Sequence, residues 1–106
     1  MSEFEKKLTD LNYRVLMLHL SCQITSKDEE RLKYLLTSVI AEGKMELLDT
    51  PLKLFRQLEK LNYIGPKNLP GLQFLQRLFG LIGREELGAE IANFVVNQQV
   101  EAANKD

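Results

Sequence analysis

Apolar residues recur at helical spacing along most of the chain. Between Ser26 and Ile40, placing successive residues about 100° apart gathers the apolar side chains on one face. That face comprises Leu32, Leu36, Val39 and Ile40. Tyr34 falls on the opposite, polar face and Leu35 at the edge of the apolar face. A large exposed aromatic beside an edge leucine suggests a contact surface, but on the helix pattern alone an ordinary exposed tyrosine is the preferred interpretation.

The same spacing predicts a long first helix. Ser2 with Glu5, and Ser26 with Glu29 in the second helix, have the spacing of capping boxes, so we predict that the two helices begin there. The first helix carries a stripe of apolar residues, which is Phe4, Leu8, Leu11, Val15, Leu18 and Cys22. Further apolar residues in its second half predict a central helix with several neighbours, in which Cys22 is buried.

Three further helices follow, with a short turn before them. Gly43 suits the end of the second helix, and residues 44–48 are long enough for a single turn only. Thr50 and Pro51 predict a helix start, and the face expected to be buried is Leu52, Phe55, Leu58 and Leu61. Asn68 caps the next helix, and the last begins near Arg84. Because no stretch alternates with period two, we predict an all-α bundle.

The chain length of 106 residues fits one domain, which we place at residues 1–97. Residues 98–106 become polar, and we expect them to form a fraying tail. Lys and Arg number 14 against 15 Asp and Glu, for a formal net charge of -1. This balance lacks the basic footprint of a nucleic-acid-binding protein or a polybasic membrane anchor. The lone cysteine and the absence of an apolar signal core at the N-terminus favour a cytoplasmic protein.

Candidate catalytic groups are few. His19 and Cys22 lie three residues apart on one helix, but no acidic residue is placed to orient them and no second pair completes a zinc site. The scattered glycines match neither a phosphate loop nor a dinucleotide fingerprint. We therefore expect a protein that is not an enzyme and that uses no metal or cofactor, with an unrelated helical scaffold or a small His19/Cys22 enzyme as the alternative.

Three short motifs lie on the predicted helices. Residues 32–35 read L-K-Y-L, residues 52–55 read L-K-L-F, and residues 84–87 read R-E-E-L. Together they resemble the death effector domain family of the death-fold superfamily. That family has L-K-F-L on its second helix, L-x-L-F at the start of the fourth and R-x-D-L near the start of the sixth. The resemblance extends from about Phe4 to Phe94.

The resemblance implies a six-helix antiparallel bundle with Greek-key topology and a short third helix. It also implies two surface features. The first is a charge triad formed by Asp28, or its neighbour Glu29, with Arg84 and Glu86. The second is a hydrophobic patch centred on Tyr34 and Leu35. This chain departs from the family pattern in having Glu86 for aspartate and in lacking a basic pair after the second helix.

The function implied by the resemblance is a non-catalytic interaction module. It would make homotypic contacts with other death effector domains, in an adaptor, an initiator caspase or a caspase-like regulator, and assemble apoptotic signalling complexes. Asymmetric contacts that do not close can propagate into filaments. The alternative within the family is an inhibitory decoy, or a regulator that binds a kinase, which caps assembly instead of propagating it.

Overall fold

The computed structural model describes the backbone of residues 2–103 and the side chains of residues 2–98, and within that part the chain is helical with no strand. The six helices are α1 (Glu3–Gln23), α2 (Ser26–Leu35), α3 (Glu42–Met45), α4 (Pro51–Lys60), α5 (Leu69–Leu81) and α6 (Glu85–Ala103). The predicted all-α bundle with a short third helix is confirmed. The backbone of the expected polar tail is helical to Ala103, and residues 104–106 lie outside the described residues.

Helix α1 begins where the sequence predicts but buries only one of its two apolar sides. Ser2 caps it by accepting a hydrogen bond from the Glu5 backbone N–H at 3.2 Å. The buried residues are Tyr13, Met17 and Leu20, whereas the predicted stripe from Phe4 to Leu18 is exposed and Cys22 is exposed as well. The prediction of a helix with neighbours on both sides was wrong for the stripe and for Cys22, because the periodicity does not say whether each apolar side has a neighbour.

Helix α2 starts and ends earlier than predicted. Its N-cap is Thr25, whose extended backbone precedes the first helical residue, so the predicted capping box of Ser26 and Glu29 is wrong by one residue. The helix stops at Leu35. Leu36 and Ile40 are buried by the turns that follow, with the backbone N–H groups of Val39 and Ile40 both donating to the Leu36 carbonyl.

The next two helices differ from the predictions in detail. Gly43 lies inside α3 and has no positive φ, so it does not end α2. Thr50 caps α4 as predicted and accepts a hydrogen bond from the Lys53 N–H at 3.2 Å. The buried residues of α4 are Leu54, Phe55 and Leu58, whereas the predicted core residues Leu52 and Leu61 are about 40% exposed.

Helices α5 and α6 form the main packing unit, joined by a tight connection. Asn68 caps α5 as predicted, accepting from the Gly71 N–H at 3.0 Å. At the other end Gly83, with φ of 82°, terminates α5 in a Schellman motif. In this motif the Arg84 N–H donates to the Phe79 carbonyl at 2.8 Å, and the Gly83 N–H to the Gly80 carbonyl at 3.1 Å. The motif reverses the chain and sets Arg84 directly before α6.

The core gathers side chains from all six helices and from the connections between them. The largest fully buried residues are Tyr13, Phe55, Phe79, Leu20, Leu32, Leu36, Ile40, Leu54, Leu58, Leu75, Leu87 and Ile91. Leu32 anchors α2 in this core, which leaves the polar face of α2 free. Placing α2 beside the connection between α5 and α6 is the feature that builds the candidate site.

Candidate interaction surfaces

The first turn of α2 is closed by a reciprocal capping box. The Asp28 N–H donates to the Thr25 Oγ1 at 3.2 Å, and the Thr25 N–H donates to the Asp28 Oδ2 at 3.0 Å. Each side chain therefore satisfies a backbone donor that has no partner within the helix. This arrangement holds the Asp28 carboxylate in one orientation, with only 4% of the residue exposed.

Arg84 connects this carboxylate to α6. Its Nη1 donates to the Asp28 Oδ2, and its Nε donates to the Glu86 Oε1 at 2.5 Å. The structure thus brings together Asp28, Arg84 and Glu86, which are separated in sequence by up to 58 positions. We call these three residues the charge network. The Asp28 carboxylate at one end of the network is buried, whereas the Glu86 side chain at the other end is 62% exposed. Only the Glu86 end therefore reaches the surface.

The electrostatics of the charge network favour the ionised forms of all three groups. Burial alone raises the pKa of Asp28, but hydrogen bonds from Thr25 and the positive charge of Arg84 outweigh it, so the pKa lies below its ordinary value. The hydrogen bond from Arg84 likewise lowers the pKa of Glu86, and the bond to Glu86 raises that of Arg84. At neutral pH the network carries two negative charges and one positive charge.

Glu29, the other sequence candidate for the network, pairs elsewhere. Its Oε1 lies 3.4 Å from the Nζ of Lys33, one helical turn along α2. The Glu29 side chain therefore lies along α2, whereas the Asp28 side chain contacts Arg84. The capping box accounts for the difference, because it fixes the Asp28 side chain at the N-terminus of α2.

Tyr34 and Leu35 lie where the helical spacing places them. Tyr34 is 76% exposed and Leu35 37% exposed, so the polar face of α2 carries a large apolar surface. Both side chains line a shallow groove whose opposite wall is formed by Leu81 and Ile82 at the end of α5. Leu81 is also well exposed. We call Tyr34, Leu35 and Leu81 the apolar patch.

Two residues of this region were missed from the sequence. The periodicity puts Leu81 near the apolar face of α5, and its exposure arises because α5 turns Leu72, Leu75 and Leu78 to the core. Arg31 donates from Nη1 to the Ile82 carbonyl at 3.5 Å and lines the same groove. The periodicity of α2 marks Arg31 as a surface residue, but it takes the packing of the helices to show it beside α5.

The expectation that no acidic residue lies beside His19 is wrong, because α6 supplies one. The His19 Nε2 lies 3.0 Å from the Glu90 Oε1 of α6, in an exposed position, and Cys22 is exposed at the end of α1. Across the described residues, no group of three His, Cys, Asp or Glu side chains is placed to hold a metal ion. None of the helices described is long and apolar enough to cross a membrane.

A family model described as "Death effector domain" matches residues 13–97. The chain belongs to the death effector domain family. The matched segment includes all three motifs, and it contains Asp28, Arg84, Glu86 and the apolar patch. No curated protein and no solved structure gives a significant match.

Membership of the family assigns the fold and the general role. The six helices form a death-fold bundle, and domains of this family are homotypic protein-interaction domains of death signalling. The L-K-Y-L, L-K-L-F and R-E-E-L sequences lie on α2, on α4 and at the start of α6, which are the elements that the resemblance implies.

Proposed function

We propose that this domain assembles cell-death signalling complexes through homotypic contacts with other death effector domains. The observation that carries the proposal is the apolar patch, because an exposed tyrosine ring and two exposed leucines from separate helices meet at one groove. Aromatic side chains contribute much of the binding energy of protein interfaces. The tyrosine hydroxyl also tolerates water in the unbound domain.

The charge network supports the same proposal in a different way. Arg84 holds the first turn of α2 against the start of α6, so the helix that presents Tyr34 is fixed to the bundle. At the surface Glu86 presents a carboxylate to an approaching partner. Rim charges of this kind contribute to orientation and specificity more than to affinity. We assign Asp28, Arg84 and Glu86 to a second contact, distinct from that of Tyr34 and Leu35.

Two different contact surfaces on one domain permit head-to-tail association. If the apolar patch and the charge network each bind a different face of the next domain, the contacts do not close and assembly propagates. The partners that fit are adaptors, initiator caspases or caspase-like regulators of the same family. We place this activity in the cytoplasm, in keeping with a chain that has a single cysteine.

The test is light scattering over a concentration series of the wild-type domain and four variants. Tyr34→Asp introduces a charge into the apolar patch, whereas Tyr34→Phe keeps the aromatic area. Glu86→Lys reverses the exposed end of the charge network and leaves the buried Asp28–Arg84 pair in place. Gln73→Asp, at an exposed position of α5, controls for added negative charge. Circular dichroism establishes that each variant is folded.

We expect the wild type, Tyr34→Phe and Gln73→Asp to assemble. Tyr34→Asp and Glu86→Lys are expected to lose assembly. A wild-type domain that stays monomeric at all concentrations would rule out propagation by this chain. It would favour the alternative, in which the domain binds one partner domain, or a kinase, and caps assembly. Equal assembly by all variants would show that neither Tyr34 nor Glu86 takes part in the contacts.

A further inference from the structure

Helix α1 carries a row of exposed apolar side chains that nothing in the described part of the domain covers. The row consists of Phe4, Leu8, Leu11, Val15, Leu18 and Cys22, and we call it the α1 seam. The five largest side chains keep between 45 and 73% of their surface exposed. Scattered apolar residues are normal on a protein surface, but a contiguous row of six along one helix marks a binding face.

The α1 seam faces away from the core of its own domain, so that core does not cover it. The buried residues Tyr13, Met17 and Leu20 lie on the side of α1 that contacts the core. At about 100° per residue, the seam is centred roughly 170° away from them. It therefore points outward, and a second molecule is needed to remove it from water.

The spacing of the α1 seam is that of a coiled coil. Successive members are separated by four, three, four, three and four residues, which is the alternation of a and d positions in a heptad repeat. In heptad notation the d positions are Phe4, Leu11 and Leu18, and the a positions are Leu8, Val15 and Cys22. A seam of this period packs best against another helix with the same period, since each side chain then inserts between four others.

We propose that the α1 seam binds the α1 seam of a second copy in a parallel two-stranded coiled coil. The area is sufficient for a weak specific dimer. Large side chains expose on the order of 200 Å² each when free, so pairing the two half-exposed seams removes roughly 1,000 Å² from water. This value is close to the lower limit for specific interfaces. The pairing is isologous, so it closes at two copies.

The position of Arg14 beside the α1 seam disfavours the antiparallel orientation. In a parallel pair the g positions of one helix face the e positions of the other. Arg14 then faces His19 of the second copy, whose ring contacts the Glu90 carboxylate. In an antiparallel pair with the seams in register, Arg14 faces Arg14, and like charges oppose each other. The Arg14 Nη1 lies 4.0 Å from the Glu59 Oε1 of its own molecule, and 63% of the Arg14 side chain remains exposed to a second copy.

The proposed pairing goes beyond the proposed function. The family model matches from residue 13, so Phe4, Leu8 and Leu11 precede the matched segment. The α1 seam also includes no residue of the apolar patch or the charge network. A dimer formed in this way would join two domains whose other surfaces remain free to bind family partners.

The test uses a chain in which the other contacts are disabled. In a Tyr34→Asp/Glu86→Lys background, sedimentation velocity over a concentration series is expected to show a monomer–dimer equilibrium. Adding Leu11→Glu, which places a charge in the middle of the seam, is expected to weaken the dimer at least about tenfold. Lys6→Glu is the matched control, because Lys6 is exposed on the opposite side of the same helix.

Cys22 reports the orientation directly. In a parallel pair the two Cys22 thiols lie side by side, and diamide, which takes up the two electrons and two protons that the thiols lose, is expected to join them in a disulfide. The covalent dimer should be absent in Cys22→Ser and reduced in Leu11→Glu. In a Phe4→Cys variant, a disulfide between the thiol introduced at position 4 of one copy and Cys22 of the other would overturn the parallel arrangement.

The outcomes separate this proposal from the proposed function. A monomeric Tyr34→Asp/Glu86→Lys background at all concentrations overturns pairing through the α1 seam, even if the wild type assembles. A background that dimerises equally with and without Leu11→Glu also overturns it. Dimerisation that Leu11→Glu abolishes supports the pairing, whatever the behaviour of the Tyr34 and Glu86 variants.

Discussion

Among the individual residues, Asp28 has two roles. It completes the capping box with Thr25, and it accepts the hydrogen bond from Arg84 that ties α2 to α6. A buried carboxylate is costly unless its oxygens have partners, and here the Thr25 N–H and the Arg84 guanidinium supply them. The start of the helix and the contact between helices therefore depend on the same side chain.

The position of the N-cap gives the first prediction. We expect Thr25→Ala to lower the free energy of unfolding by about 1 kcal/mol, because the Asp28 N–H loses its acceptor. Ser26→Ala is the matched control, one residue along, and should change the stability by less than about 0.5 kcal/mol. Urea unfolding followed by circular dichroism measures both. A larger effect at Ser26 than at Thr25 would indicate that Ser26 is the N-cap, as the sequence spacing predicts.

The lowered pKa of Asp28 makes stability depend on pH. Because this pKa lies below its ordinary value of 3.8, the unfolded chain binds a proton more readily than the folded one. The stabilisation is complete above the unfolded-state pKa and is lost as the pH falls from about 5 through the folded-state pKa.

Asp28→Asn is expected to remove this contribution to the pH dependence. The variant should be less stable than the wild type at about pH 7, and the difference should narrow as the pH falls toward about 3. Glu86 and Asp49 also have lowered pKa values, so part of the acid sensitivity remains. Urea unfolding at intervals across this pH range measures the effect, and a constant difference throughout would contradict it.

Between helices, the connection that joins α5 to α6 decides where Arg84 lies. Gly83 adopts a left-handed conformation, and Arg84 closes the Schellman motif on Phe79 before α6 begins. Residues with a β-carbon are strained in this conformation. The backbone of one glycine thus positions the arginine that reaches Asp28.

The corresponding prediction compares two glycines of this region. Gly83→Ala should lower the free energy of unfolding by about 1 kcal/mol, since alanine is strained at positive φ. Gly80→Ala should raise it by about 0.5 kcal/mol, since Gly80 is an exposed helical position with open space where a β-carbon would lie. Thermal or urea unfolding measures both. Equal effects of the two substitutions would be inconsistent with a conformational requirement at residue 83.

Helix α1 shows how one element can carry two binding faces. Its second half buries Tyr13, Met17 and Leu20 in the bundle, while the α1 seam runs along the opposite side. A helix that is apolar on both sides exposes one side to water unless each side has a partner. The first face packs against α4 and α6, and the proposed pairing covers the second.

For the domain as a unit of assembly, head-to-tail association makes a specific prediction about mixtures. A Tyr34→Asp molecule keeps its other surfaces, so it can join the end of an assembly but offers no apolar patch for the next molecule. Adding a small fraction of this variant to the wild type should therefore shorten the assemblies far more than its mole fraction would suggest.

Light scattering and electron microscopy of such mixtures measure the effect. Gln73→Asp, added at the same mole fractions, is the control and should leave the length distribution unchanged. A fall in assembled mass that is merely proportional to the Tyr34→Asp fraction, with no shortening, would argue against a propagating head-to-tail contact through the apolar patch.

Local sequence was enough to predict the helical class, five long helices with a short turn among them, and the starts of α1, α4 and α5. It also placed Tyr34 on the exposed face of α2. These are local properties, since helical periodicity and the capping of orphan backbone donors depend on residues a few positions apart.

Packing in three dimensions selected the buried face of α1 and brought Arg84 to Asp28, the carboxylate that the local capping box with Thr25 fixes at the start of α2. It also brought Leu81 to the groove beside Tyr34. Two apolar faces on one helix are equivalent until a neighbouring element contacts one of them, and that contact joins residues distant in the chain.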